Sequence, residues 1–296
     1  MAQPVKQPAI RCAAKVEALL GEGPLWDPRI NRLLFLDIKG ARLFIYDPAT
    51  DETHDYDVSG MVSALGLARK GGYVCVSRQG FGRLFIEDDA VRIEPVIDPE
   101  SALSGNRFND GKVDPAGGFW AGTMDDQEKD DNAGSWWRLA PDGTVARLDD
   151  GHHVTNGPAF DPARGRVYLT DSARRVIYVA DSDGTAFKNK TVFKLFGDGA
   201  GYPDGMDIDA QGSLWVAFWD GAMVRRFSSE GVLLGEFAIP ALRPTSVKIV
   251  AHKIYVTSAR IGLTPEQLCV HPESGGLFVL ELPVSVGPDN YNYFSG

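Results

Sequence analysis

Four oxygen-tipped side chains recur at one phase of this sequence. Glu22 stands 12 residues before Leu34, Asn109 11 before Trp120, Asn156 12 before Tyr168, and Asp204 11 before Trp215. Ser63 and Thr245 hold the same place, 11 residues before Val74 and 10 before Tyr255. Two carboxylates and two amides make an all-oxygen set. It suits a hard divalent cation such as calcium, magnesium or manganese, with water completing the shell. Zinc fits too, though it more often takes His or Cys. The five histidines form no HExxH pair, and Cys12, Cys75 and Cys269 are too scattered for a CxxC site or a disulfide framework. Taken singly, Asp110-Gly111, Asn156-Gly157 and Asp204-Gly205 read as turn pairs. Independent turns need not keep register, so the shared phase points to one site.

The elements that must position these residues are also periodic. The anchors Leu34, Val74, Trp120, Tyr168, Trp215 and Tyr255 are spaced by 40, 46, 48, 47 and 40 residues. A turn, often Asp-Pro, precedes each one, as in Trp26 to Asp37 and Phe160 to Asp171. Third strands follow at Ala41 to Tyr46 and Arg175 to Ala180, and a fourth at Thr144 to Leu148. Four short strands every 40 to 50 residues is the period of a propeller blade. Six copies predict an all-β, six-bladed β-propeller with four antiparallel strands per blade. The innermost strands line the channel, so the oxygen cluster gathers at one mouth. The propeller is expected over residues 16–284, with an N-terminal extension at 1–15 and a C-terminal tail at 285–296. Pro265 to Leu268 is the best short helix.

The composition limits partners. The 296 residues carry 40 acidic and 30 basic side chains, a formal net charge of -10, with no block of Lys or Arg. Neither nucleic acid nor an anionic membrane is an expected partner. No apolar run is long enough for a membrane span, and the first ten residues lack the apolar core of a signal peptide. A cytoplasmic monomer is the simplest expectation. No GxSxG, Walker loop or strand-linked GxGxxG is present, which leaves serine-hydrolase, nucleotide and Rossmann readings without support.

Gly21-Glu22-Gly23-Pro24, the run Asn106 to Pro115 followed by Ala121-Gly122-Thr123-Met124, Thr155-Asn156-Gly157, and Tyr202 to Asp207 occur in this order. Together they resemble the senescence marker protein/gluconolactonase/luciferin-regenerating enzyme family, over about residues 16 to 282. The resemblance implies a propeller that hydrolyses a sugar lactone to the aldonic acid with one divalent cation: calcium, zinc, manganese, magnesium or iron. Glu22, Asn156 and Asp204 match the family's metal ligands, and Arg107 and Asn109 its substrate-contacting pair. Asp204 matches the residue often proposed to take a proton from the attacking water. A bound cation would polarise the lactone carbonyl, acidify that water and stabilise the oxyanion. An acidic substrate-side residue often follows the Gly-Thr-Met segment. Here Gln127 falls at that place with Glu128 beside it, and the acidic run is otherwise a solvated loop. The resemblance also leaves open other esters or phosphotriesters on the same site. A binding propeller with a structural ion would leave Arg107 and Asn109 without a task.

Overall fold

Each repeat opens on a hairpin, and in the clearest copies an aspartate locks its turn. Asp114 Oδ1 accepts the Ala116 and Gly118 N–H groups at 2.8 and 2.9 Å, and Oδ2 accepts Trp120 Nε1 at 3.0 Å. Asp209 does the same with Gln211, Ser213 and Trp215 Nε1, at 3.0, 2.8 and 3.0 Å. One carboxylate thus closes the turn and fixes the indole six residues on. This is the physical basis of the recurring aspartate-to-aromatic spacing.

The computed structural model describes residues 9–87, 90–288 and 291–296. It contains six four-stranded antiparallel sheets. Blade one comprises β2 (Gly21–Asp27), β3 (Arg32–Asp37), β4 (Arg42–Tyr46) and β5 (Thr53–Asp57). Blade two comprises β6 (Ala64–Leu67), β7 (Tyr73–Ser77), β8 (Gly80–Glu87) and β9 (Ala90–Ile97). Blade three comprises β10 (Asn106–Val113), β11 (Phe119–Asp125), β12 (Gly134–Leu139) and β13 (Val145–His152). Blade four comprises β14 (Thr155–Asp161), β15 (Arg166–Asp171), β16 (Val176–Ser182) and β17 (Phe187–Leu195). Blade five comprises β18 (Tyr202–Ile208), β19 (Leu214–Trp219), β20 (Met223–Phe227) and β21 (Leu233–Ala238). Blade six comprises β22 (Arg243–Val250), β23 (Lys253–Ala259), β24 (Leu277–Glu281) and the N-terminal β1 (Ala9–Ala14). The short helix α1 spans Pro265–Val270 and is capped by Thr264. No helix among the described residues is long and apolar enough to cross a membrane.

All six anchors fall on second strands and are at most 1% exposed. Outer strands such as β9 and β17 are mostly exposed. The core therefore lies between blades. Trp120 and Trp136 of blade three pack with Phe160, Val167 and Leu169 of blade four. Trp120 meets Phe160 edge to face at 5.2 Å, a pairing worth about 1 kcal/mol beyond its buried area.

The chain ends depart from the expected boundaries. Residues 1–15 were expected to stand outside the propeller, yet Ala9–Ala14 pair antiparallel with β24, with Ile10 opposite Leu280. This strand completes blade six and covers the edge that β24 would otherwise expose. The tail also packs on the propeller. Phe294 is buried, its N–H donates to the Leu67 carbonyl at 2.7 Å, and its carbonyl accepts the Arg69 N–H.

Candidate active site

The inner strands do not run straight at the mouth. Register shifts fall between Glu22 and Leu25, Phe108 and Asp110, Asn156 and Ala159, Pro203 and Met206, and Pro244 and Ser246. A bulge bends a strand and re-aims its side chains. Five of the six inner strands thus carry the same irregularity where the polar residues stand. Gly23 and Gly157 follow Glu22 and Asn156 with φ of 57° and 90°, which a side chain would strain.

Two carboxylates hold the chain entering these strands. Asp37, at the end of β3, accepts the Leu19, Leu20 and Gly40 N–H groups at 2.7, 2.9 and 2.8 Å. Asp171, at the end of β15, accepts the His153 and Val154 N–H groups at 3.0 and 3.3 Å. Each clamp grips backbone two or three residues before a site residue, Glu22 or Asn156.

At the mouth, Asn109 Nδ2 donates to the Thr155 carbonyl at 2.8 Å and to Asn156 Oδ1 at 3.1 Å. Asn156 Nδ2 donates to Ser172 Oγ at 2.8 Å, which turns its carbonyl oxygen toward Asn109. Arg107 Nη1 donates to Asn109 Oδ1 at 2.7 Å and to the Phe108 carbonyl at 3.0 Å. Its Nε donates to Asp126 Oδ1 at 2.6 Å. Arg107, Asn109, Asn156, Glu22 and Asp204 are all buried. Of the two weaker copies, Thr245 donates to the Gly21 carbonyl. Ser63 is buried with its hydroxyl unpartnered.

Asp110 joins the cluster, although its sequence suggests only a turn. Its oxygens accept the Gly111 and Gly157 N–H groups at 2.7 and 2.9 Å. Asp126 is the second unforeseen member. It lies in the acidic loop where Gln127 and Glu128 were the candidates. It also takes Lys39 at 2.6 Å and Arg78 at 3.4 Å. Arg107 is buried and bonded to this residue. Gln127 and Glu128 are both exposed. The Glu128 charge is close enough to favour the charged form of Arg107.

The cluster's charges are unbalanced. Burial, then the charges of Asp204 and Asp110, push the Glu22 carboxyl well above its usual range. Burial, then Asp110, does the same to Asp204. Burial raises Asp110 to about 6. Arg107 is the cation that Glu22 and Asp204 feel, and Lys112 the one that Asp110 feels; burial depresses the pKa of Arg107. Asp204 Oδ1 is buried with no hydrogen-bond partner. An orphaned carboxylate oxygen beside two more buried acids fits a bound cation. Among the described residues no three His, Cys, Asp or Glu side chains converge as metal ligands. The matching donor set is of another kind, two carboxylates and the amide oxygen of Asn156, which suits a hard ion.

Six blades around a channel with a carboxylate-rich mouth define a β-propeller with a candidate axial catalytic or binding centre. The chain belongs to the SMP-30/gluconolactonase/LRE-like family, whose pattern it matches over residues 20–260. Regucalcin from Xenopus laevis is 34% identical over 280 residues, covering 91% of this chain and 93% of that protein. A 6-deoxy-6-sulfogluconolactonase from Pseudomonas putida is 31% identical over 281 residues, covering 93% and 95%. The crystal structure of a calcium-binding regucalcin from Agrobacterium tumefaciens superposes with a TM-score of 0.90 at 26% identity, covering 97% of each chain. The chain is a lactonase-family enzyme.

Proposed function

We propose that this protein hydrolyses a sugar (aldono-)lactone to the aldonic acid, with one divalent cation held by Glu22, Asn156 and Asp204. The observation that carries this reading is the unpartnered, buried Asp204 Oδ1 within a trio of buried carboxylates. When bound there, a divalent cation supplies Lewis-acid polarisation of the lactone carbonyl and a more acidic water. The Agrobacterium relative is described as calcium-binding, and an all-oxygen set suits calcium.

The remaining work belongs to the chain. Ring opening adds a water oxygen to the carbonyl carbon, breaks the ring C–O bond, and delivers a proton to the leaving ring oxygen. Asp204 takes the proton from water through the carboxylate oxygen that does not hold the cation. Arg107 is fixed through Nε and Nη1, which leaves Nη2 to donate to substrate oxygens. Asn109 spends its Nδ2 on Thr155 and Asn156. Its contact with substrate is therefore through Oδ1, accepting from a sugar hydroxyl. Glu128, exposed at the rim, accepts from hydroxyls further out. The three unpaired cysteines accord with a reducing, cytoplasmic location.

The test is a panel of five- and six-membered aldonolactones, followed by proton release, with metal-stripped protein reloaded with each of several divalent cations. Turnover of at least one lactone, abolished by chelation, is expected. If every lactone stays at background while an ester or phosphotriester turns over, the substrate class is wrong. If nothing turns over, the propeller is a binding module.

A further inference from the structure

The channel has a second end, and it is charged differently. Lys112, Asp207 and Lys248 each lie three residues beyond a mouth position, Asn109, Asp204 and Thr245. The equivalent places beyond Glu22 and Ser63 are Leu25 and Gly66. These five residues line one cavity of about 400 Å³, whose rim includes Tyr291. That volume is in the range of small-molecule sites.

Asp207 is saturated. Its carboxylate accepts Lys248 Nζ at 2.7 Å, the Ile249 N–H at 3.1 Å and Lys112 Nζ at 3.4 Å. Lys112 makes its shorter bond, 2.8 Å, to the Met206 carbonyl. Lys248's side chain is only 12% exposed. Two ammonium groups therefore share one carboxylate inside a largely apolar cavity. The other charges lining it are paired nearby, Asp161 with Arg164 and Asp209 with Arg226. Among the described residues, Asp207 is the one carboxylate bonded to either ammonium; Asp110, which Lys112 also acts on, spends its bonds on the Gly111 and Gly157 N–H groups. A sheltered charge without a partner is costly, and an ion that supplies the opposite charge relieves that cost. Tyr291 is held near this cluster. Burial, then the Asp207 charge, raises its phenol, which keeps it a hydroxyl donor.

We propose that this far-end cavity is a second ligand site, separate from the catalytic mouth, that takes a small oxyanion between Lys112, Lys248 and the Tyr291 hydroxyl. A sugar carboxylate and inorganic phosphate share the required chemistry. The wild-type protein is titrated with sodium phosphate and with sodium gluconate, against sodium chloride at matched ionic strength. Thermal unfolding and calorimetry are the readouts. At least one oxyanion is expected to raise Tm saturably where chloride does not. A response to phosphate alone identifies phosphate as the occupant, and a response to gluconate identifies a carboxylate. Lys248→Met is expected to weaken binding at least tenfold, and Lys248→Arg to retain it. Tyr291→Phe, which removes one hydroxyl, is expected to weaken it measurably and serves if Lys248→Met does not fold. Asp204→Asn, at the other end of the channel, is expected to bind as wild type. The proposal is overturned if neither oxyanion exceeds chloride, if both Lys248→Met and Tyr291→Phe bind as wild type, or if Asp204→Asn abolishes the response.

Discussion

Replacing Asp126 with Ala tests whether the acidic loop acts by positioning Arg107. The Asp126 carboxylate holds Arg107 Nε at 2.6 Å, and the guanidinium is 6% exposed. Removing one partner of a buried ion pair costs about 3–5 kcal/mol. Asp126 itself is 15% exposed, and Arg107 keeps bonds to Asn109 and the Phe108 carbonyl. The lower end, about 3 kcal/mol, is therefore expected. That figure is a loss of folded-state stability; the loss in kcat/KM is set by the displaced guanidinium, and a misplacement of about 1 Å costs roughly a hundredfold. The freed guanidinium is drawn toward Glu22 and Asp204, so the loss should include KM as well as kcat. Steady-state lactone hydrolysis in saturating metal measures both. Lys39→Met is the control, because it removes another cation from the same carboxylate and leaves the Arg107 bond intact. It should change kcat/KM less than about threefold, because Arg107 and Arg78 still hold the carboxylate. The reasoning is refuted if Asp126→Ala stays within threefold of wild type, or if Lys39→Met is equally damaging.

Ser172→Ala removes the acceptor that orients the Asn156 amide. Calorimetry should show divalent-cation affinity falling about tenfold, the scale of losing a ligand-orienting contact, and unchanged affinity would remove Ser172 from that role. Burial pushes the Asp207 carboxyl up, but the Lys112 and Lys248 ammoniums pull it further down, to about 2. Its folded pKa is below the unfolded value of about 3.9. It therefore adds stability above pH 4 that is lost as pH falls toward 2. Denaturation of Asp207→Asn across that window should show a flatter acid limb than wild type, and an identical limb would contradict the assignment. Deleting residues 1–14 strips β1 from blade six and exposes β24. Light scattering should then detect association through that edge, with a lower Tm. A monomer of unchanged Tm would show that β1 is dispensable.

The propeller was legible because it is repeated. The phase that places Glu22, Asn109, Asn156 and Asp204 also places six buried anchors, and both sets emerge from spacing alone. The clamps Asp37 and Asp171 close aligned repeats in the sequence, but nothing local says that their carboxylates reach back to Leu19 and His153. Asp110 was hidden by Asp-Gly, whose turn reading is locally sound. The bulge after Phe108 brings it into the cluster. Asp126 was hidden among like-charged neighbours, since which carboxylate turns inward depends on Arg107, Lys39 and Arg78 arriving from three separate segments. The outer strand β1 was missed because its partner lies at the opposite end of the chain. Nothing local marks Lys112 and Lys248, on separate blades, as sharing the Asp207 carboxylate.

Equilibrium titration of calcium, and in parallel manganese and zinc, into metal-stripped wild type and Asp204→Asn, with lactone turnover measured in the same samples, tests the central claim most directly. One cation per wild-type chain is expected. Turnover should rise in step with occupancy, and both should be lost in Asp204→Asn. Full turnover in metal-stripped protein, or a cation bound equally well by Asp204→Asn, would contradict it.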